Sequence, residues 1–327
     1  MAAGSAAPQT VLIRLPNWLG DALMARPLLH ALRARFAAAR LLATGPAPLL
    51  ALLERERLWD VSAAWPSPAA FARDADLALI LPPSFSSAWH AWRSGAVRRI
   101  GFAADARSWL LSDAWRRPPR GDLHLSQEYR ALGAPLGLEP VAPPALAPTG
   151  AERDAARALL ERTGGVPARW AVLAPGAVYG PAKRWPAGRF AALADRLAAG
   201  GTTSLVCGGA EDRDTTRAVI ERMRVTGSGA RVLAGETTLP VQLALCAGAA
   251  ATISNDSGLA HLAGATGAPT VVVFGSTSSA WTAPLGPRTR VVQHAPVCAP
   301  CFQRRCRIGY RCLEAVEVEE VARCLPE

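Results

Sequence analysis

Lys183, in the stretch GPAKRWP at residues 180 to 186, is the single lysine of a 327-residue chain that holds 36 lysines and arginines together. The two cations are not equivalent. A guanidinium is a wide planar fork, whereas an ammonium is a compact point charge on a thin stem that fits against a phosphate in a confined space. The plain alternative is compositional accident, since one surviving lysine has to sit somewhere. A second stretch, NDSG at residues 255 to 258, suits the same ligand chemistry. Asp256 or Ser257 can cap a helix starting there, and the free N–H groups and dipole of a helix start attract an anion. Gly258 removes side-chain bulk from the approach. NDSG alone reads as an ordinary N-cap, but paired with Lys183 it offers two halves of one diphosphate site.

Other groups carry weaker signals. Glu211, just after LVCGGA, could accept hydrogen bonds from a ribose diol; it reads equally as an acid favoured by a helix N-terminus. Asp21, following Gly20, could act as a general base toward a hydroxyl, or as an N-cap. Asp74 and Asp76 have the D-x-D form of a divalent-metal site beside a diphosphate. They precede a strand, at the wrong end of a sheet, and read as a solvated turn. His261 falls one turn into the helix after NDSG, within reach of a ligand or simply half-buried. No GxGxxG follows a strand and no GxxxxGK[ST] is present, which excludes the usual nicotinamide and P-loop signatures. Cys298, Cys301, Cys306 and Cys312 have the spacing C-x2-C-x4-C-x5-C. Four thiolates could surround a zinc, yet the usual second CxxC is missing and arginines interleave, so free thiols or a structural staple are favoured over metal. Cys207 and Cys246 lie in apolar stretches and read as small core residues.

The elements that must position these groups alternate along the chain. TVLIRLP, DLALILP, RWAVLAP, TSLVCGG, AATISND and PTVVVFG are short apolar runs closed by Gly, Pro, Asn or Asp, the mark of buried strands. ARPLLHALRARFAAA, GRFAALADRLAAG and LPVQLALCAGA have helical spacing between them. This alternation predicts an α/β protein of doubly wound parallel sheets covered by helices on both faces. Length and 50% hydrophobic content suit two domains, divided by the proline-rich stretch 138–154 into residues 1–150 and 151–327. Ligands bind beyond the carboxyl ends of strands in such sheets, and Asp21, Lys183, Glu211 and NDSG all follow a predicted strand.

The net charge of +10 implies an anionic partner: nucleic acid, a membrane surface or a phosphorylated substrate. No apolar run is long enough to span a bilayer and the first residues lack a signal-peptide pattern, so the expected location is the cytoplasm. Residues 89 to 120 gather Arg93, Arg98, Arg99, Arg107, Arg116, Arg117 and Arg120 among Trp89, Trp92, Phe102, Trp109 and Trp115. They read as a solvated basic face over core aromatics, or as a surface gripping a phosphorylated sugar near anionic headgroups. Nucleic-acid binding is the competing class for the same stretch, although no known module for it is legible. A sugar-nucleotide hydrolase or epimerase on the same fold is a further alternative.

PNWLGD, PGAVYGPAKRWP, NDSGLAHLA and the late TAPLGP, in that order along nearly the whole chain, resemble the motifs of the heptosyltransferases that build the inner core of lipopolysaccharide. The resemblance implies a GT-B fold, with two Rossmann-like domains facing a central cleft, the acceptor on the first and the nucleotide sugar on the second. It implies an inverting transfer from ADP-L-glycero-D-manno-heptose to the lipid A-core oligosaccharide at the cytoplasmic surface of the inner membrane, with no metal, no cofactor and no nucleic acid. On the matching positions, Asp21 takes the part of the base and Lys183 that of the diphosphate-binding lysine. Glu211 stands near the nucleoside, and Asn255, Asp256, Ser257 and Gly258 hold the donor. Asn17, Gly20, Gly176 and Tyr179 in the motifs, together with His261, Arg98, Arg99 and Arg107, complete the expected substrate-binding set. Ser276 stands where relatives commonly carry proline, and Ala260 replaces a larger apolar residue.

Overall fold

The central strands of this protein are short and buried on both faces, as strands covered by helices on two sides must be. The computed structural model describes residues 7–66, 75–139, 141–225 and 229–326. The chain divides into two compact units, Met1–Pro144 and Ala145–Glu327. In the stretch 138–154, expected as a linker, residues 141–149 form no helix or strand. A helix starts at Gly150, where Thr149 and Glu152 form a reciprocal capping box, the S/T-x-x-E signature of a helix start.

In the first unit, β1 (Thr10–Arg14), β2 (Arg40–Gly45), β3 (Val61–Ala64), β4 (Leu77–Ile80), β5 (Arg98–Phe102) and β6 (Asp113–Trp115) form one sheet in the order β3-β2-β1-β4-β5-β6. Every pairing is parallel. The helices are α1 (Leu19–Met24), α2 (Arg26–Arg35), α3 (Ala47–Leu53), α4 (Phe85–Arg93) and α5 (Leu125–Gly133). The order reverses between β1 and β4, which makes their carboxyl ends the switch point where such folds take ligands.

The second unit repeats the plan. Strands β7 (Trp170–Ala174), β8 (Thr203–Val206), β9 (Ala230–Val232), β10 (Ala251–Asn255), β11 (Thr270–Phe274) and β12 (Thr289–Gln293) lie in the order β12-β11-β10-β7-β8-β9, all parallel. Around them run α6 (Gly150–Arg162), α7 (Ala187–Ala199), α8 (Arg213–Ile220), α9 (Leu239–Gly248), α10 (Gly258–Ala265), α11 (Ser279–Thr282), α12 (Arg311–Glu314) and α13 (Val318–Arg323). One core joins Trp185, Phe190, Ile253, Val271 and Val273 to Leu313, Val316 and Val321 of the chain end. Trp185 stacks edge-on to Phe190 with centroids 5.0 Å apart and donates from Nε1 to Val316 O. The switch point here lies between β7 and β10. The fold class expected from the sequence is the one observed, as two Rossmann-like sheets. Cys207 and Cys246 are buried core residues, and burial pushes the Cys246 thiol up to about 12.

The basic stretch needs correction. Arg98 and Arg99 open β5, so they sit at the amino edge of the sheet, opposite the strand exits. Arg98 is held by Asp113 and Pro135 O. Arg99 is held by the carbonyls of Leu110, Ala96 and Val97. Arg107 is completely buried and donates to Phe102 O, Ser84 O and Ser87 Oγ; burial lowers its guanidinium to about 10. Arg107, expected on a substrate-gripping surface, instead ties β5 to the start of α4 from the interior, while Arg98 and Arg99 bond neighbouring groups at the amino edge of the sheet. Arg107→Ala would strand those acceptors beside a cavity and is expected to cost about 2–4 kcal/mol. Thermal or denaturant unfolding checks this; an unchanged midpoint would return Arg107 to the surface.

Candidate functional site

In the first unit the site is built at the exits of β1 and β4. Extended backbone at Trp18 starts α1 with no side-chain cap, so Asp21 is the third helical residue and not the cap. It lines an open concavity of ≈ 440 Å³ with Asn17, Trp18, Ser84, Asp105 and Tyr129. Asp105 is already committed, accepting the Phe85 N–H at 2.7 Å at the start of α4. Burial first, and Asp21 second, push the Tyr129 phenol well up. Tyr129 is therefore a neutral wall beside the Asp21 carboxylate. Asn17 is positioned by Arg14, whose Nη2 donates to Asn17 Oδ1 at 2.7 Å. Arg14 ends β1, is 4% exposed, and lies 4.6 Å from the Trp65 ring centre; burial lowers it to about 10. The sequence reading missed Arg14, although an arginine at the end of an apolar strand was a visible signal.

In the second unit the β7 and β10 exits converge. Lys183 ends a tight turn, Pro181–Lys183, and its Nζ lies 2.5 Å from Asp256 Oδ2 and 4.8 Å from the Tyr179 ring centre. Asp256 Oδ2 also accepts the Thr277 hydroxyl at 2.6 Å. Lys183 and the NDSG stretch, far apart in sequence, are thus in contact. An ammonium has three hydrogens; the contact with Asp256 orients the group and leaves donors for a ligand oxygen. Ser257 occupies the N-cap of α10 with extended backbone and no side-chain cap; its hydroxyl meets Ser254 Oγ at 3.1 Å. Neither Asp256 nor Ser257 caps the helix, so the first-turn N–H groups of α10 that begin at Gly258 are not taken by those side chains. His261 is buried further along α10.

Asn255 is fully buried and structural. Its Oδ1 accepts the Trp185 N–H at 2.9 Å and its Nδ2 donates to Pro175 O at 2.7 Å. Both ends of the amide bond backbone, which fixes the Lys183 turn to the β7 exit, and burial makes Asn255 a bridge between segments. Glu211 is exposed in the turn Ala210–Asp212 after β8, with its carboxylate over Gly209. Asp74 lies outside the described residues. Asp76 precedes β4 and accepts the N–H groups of Gln9 and Thr10.

A strap from the cysteine-bearing tail closes over the lysine turn, which the sequence reading did not foresee. Arg304 O accepts the Ala182 N–H at 3.1 Å, Tyr179 Oη donates to Phe302 O, and Phe302 N donates to Ser276 O at 2.8 Å. All seven cysteines are free, and among the described residues no cluster of His, Cys, Asp and Glu suited to a metal occurs. Backbone N–H groups, that of Ile308 first and Tyr310 next, favour the Cys306 thiolate and lower its pKa.

Two Rossmann-like units, one presenting a carboxylate in a concavity and the other an ammonium beside a helix start, have the architecture of a two-domain glycosyltransferase. Residues 71–311 match glycosyltransferase family 9 (heptosyltransferase), and the chain belongs to that family; it is a glycosyltransferase. It is 29% identical over 308 residues to lipopolysaccharide heptosyltransferase 2 of Escherichia coli, covering 86% of this chain and 87% of that one. Over 308 residues it is 28% identical to lipooligosaccharide heptosyltransferase 2 of Haemophilus influenzae, covering 86% and 88%. The solved structure of E. coli ADP-heptose lps heptosyltransferase II superposes with a TM-score of 0.80 at 26% identity, covering 96% of this chain and 97% of that one.

The strap generates a test. Gly180 has φ 144°, and a Cβ on it would meet Arg304 O at 2.6 Å. Gly180→Ala should push strap and turn apart and move Lys183 by about an ångström, a scale that can cost on the order of a hundredfold in rate. Steady-state kinetics read this; a rate within a few-fold of the parent would show that the strap does not set the lysine.

Proposed function

We propose that the protein transfers heptose from ADP-L-glycero-D-manno-heptose to the inner core of lipopolysaccharide, adding the second heptose, with inversion at the anomeric carbon. The first unit takes the lipid A-core acceptor and the second the ADP-sugar. The observation that carries this reading is the contact of Lys183 with Asp256 at the start of α10, where the β7 and β10 exits meet at a place suited to a diphosphate.

Asp21 takes the proton of the acceptor hydroxyl, which attacks the anomeric carbon from the face opposite the diphosphate. Negative charge then collects on the departing ADP. The Lys183 ammonium and the open N–H groups of α10 stabilise that charge as it develops, the kind of interaction that lowers a barrier most because the donors are already in place. Asp256 and the Tyr179 ring keep the ammonium from swinging away; Thr277 shares the Asp256 charge, which lessens its repulsion of a phosphate. Glu211, beside the same exits, serves the ribose diol. The remaining chemistry asks for no metal, since the lysine and the helix start supply the positive charge.

A lipid-linked acceptor places the first unit at the cytoplasmic surface of the inner membrane. Exposed Trp92 and Trp109, 46% and 67% accessible, join Phe85 and Trp89 in a row of ring contacts, and Arg93 and Arg116 are exposed nearby in sequence. Aromatic and basic side chains together suit the interface of an anionic bilayer. No helix among the described residues is long and apolar enough to cross a membrane.

Asp21→Asn should leave ADP affinity nearly unchanged and lower turnover by about two to four orders of magnitude, the usual span for a general base. Turnover within a few-fold of the parent would remove Asp21 from that role. Lys183→Arg keeps the charge but brings a broad fork into a position bounded by Asp256 and the Tyr179 ring. It should lose most activity with little change in melting temperature; parental activity would make the lysine a compositional accident.

A further inference from the structure

Asp212, adjacent to the candidate Glu211, has no part in the chemistry above, yet its surroundings are built around it. Its side chain is buried, and burial pushes the carboxyl up. Oδ2 accepts the Gly209 N–H at 3.1 Å. A Cβ on Gly176, at the β7 exit, would run into the carboxyl group, and one on Gly208 would lie 2.7 Å from Asp212 Cβ. Two glycines on two different strand exits therefore leave room for this one carboxylate. On its remaining side stands Arg184, next to Lys183, with Nη2 4.0 Å from Asp212 Oδ1. The Arg184 guanidinium also donates to Ala177 O at 3.2 Å. Asp212 Oδ1 and Arg184 Nε are both buried without a hydrogen-bond partner. Buried polar atoms are nearly always satisfied, and the exceptions concentrate where function sets the geometry.

We propose that Asp212 is the positioning residue of the donor site: through its charge on Arg184 and its hydrogen bond to Gly209 it sets the Lys183 turn against the β7 and β8 exits. This rests on the donor-site reading of Lys183. Asp212 acts through Arg184 and the turn. The same tie accounts for Gly176 in the motif PGAVYGPAK, as the position where any side chain would displace the Asp212 carboxylate. It also orders the loop that carries Glu211, because Gly209 N is fixed by Oδ2. One buried carboxylate thus serves both the lysine turn and the acid beside it.

The test uses Asp212→Asn, which keeps the shape and can still accept from Gly209 while losing the charge, with Arg184→Gln and the double variant. Two readouts separate this inference from the donor-site reading. Amide hydrogen exchange across 177–185 needs no ligand: both single variants should speed it there while α6, α9 and the β11 region stay as in the parent. ADP affinity by calorimetry, and the donor KM, should weaken roughly tenfold, with acceptor KM and kcat within about twofold, and the double variant should be no worse than either single one, as expected for two groups acting through one contact. Unchanged exchange across 177–185 would overturn the inference whatever the ligand proves to be. Parental ADP affinity in Asp212→Asn, or losses that multiply in the double variant, would overturn it equally. A loss of melting temperature with the donor and acceptor constants unchanged would make Asp212 merely structural and would also overturn it.

Discussion

Both ends of the Asn255 side chain are spent on the main chain of other segments, and the second unit's site depends on that bridge. Strand β10 ends at Asn255; from there the amide reaches Pro175 beyond β7 and Trp185 beyond the lysine turn. Loops have no ladder to set their distance from one another, so a buried side chain that satisfies one N–H and one carbonyl does this work. Its loss would leave both backbone groups unpaired in the interior, at about 1–3 kcal/mol each. Because Asp256 is the next residue, fixing Asn255 fixes the carboxylate that Lys183 meets. Trp185, anchored by the same bond, fills the core beneath the turn and carries the constraint down to Val316 and the chain end.

The site is thus assembled from segments that are far apart in sequence and joined by few contacts. The β7 exit, the β10 exit, the turn Pro181–Lys183 and the strap through Phe302 and Arg304 each contribute a backbone group or a charge. None of them would hold the ammonium alone. The first unit shows the same economy with different parts: Arg14, buried at the end of β1, holds Asn17, and Tyr129 walls the concavity in which Asp21 sits. Asp21 stands in the first turn of α1 and Lys183 on a turn tied to its neighbours by backbone bonds, and group transfer is sensitive to placement on the ångström scale.

Much of this was legible in the sequence, for reasons that can be traced to particular residues. Apolar runs closed by Gly, Pro, Asn or Asp located β1, β4, β7, β8, β10 and β11, and a parallel sheet places their exits together, so Lys183 and the NDSG stretch could be paired before any coordinates, though not the direct contact with Asp256. Strands β2, β3, β5, β6, β9 and β12 were not singled out. Several are edge strands or carry arginine and tryptophan, which blurs the apolar signal. Arg107 was misread because a charged side chain is ordinarily exposed, and only the fold reveals three acceptors waiting for it in the interior. Asn255 looked like a ligand group because sequence shows which donors a side chain owns and not where they are used. The strap has no period to detect, being irregular chain held by backbone bonds, and Asp212 was hidden behind the more conspicuous Glu211.

The proposed reaction adds heptose to an acceptor that already carries one. Purified protein incubated with ADP-L-glycero-D-manno-heptose and a core acceptor bearing a single heptose, followed by mass spectrometry of the acceptor, tests it most directly. A gain of one heptose on that acceptor, and none on the acceptor lacking heptose, is the predicted result; no mass gain on the singly heptosylated acceptor, or transfer only to the bare one, would contradict it.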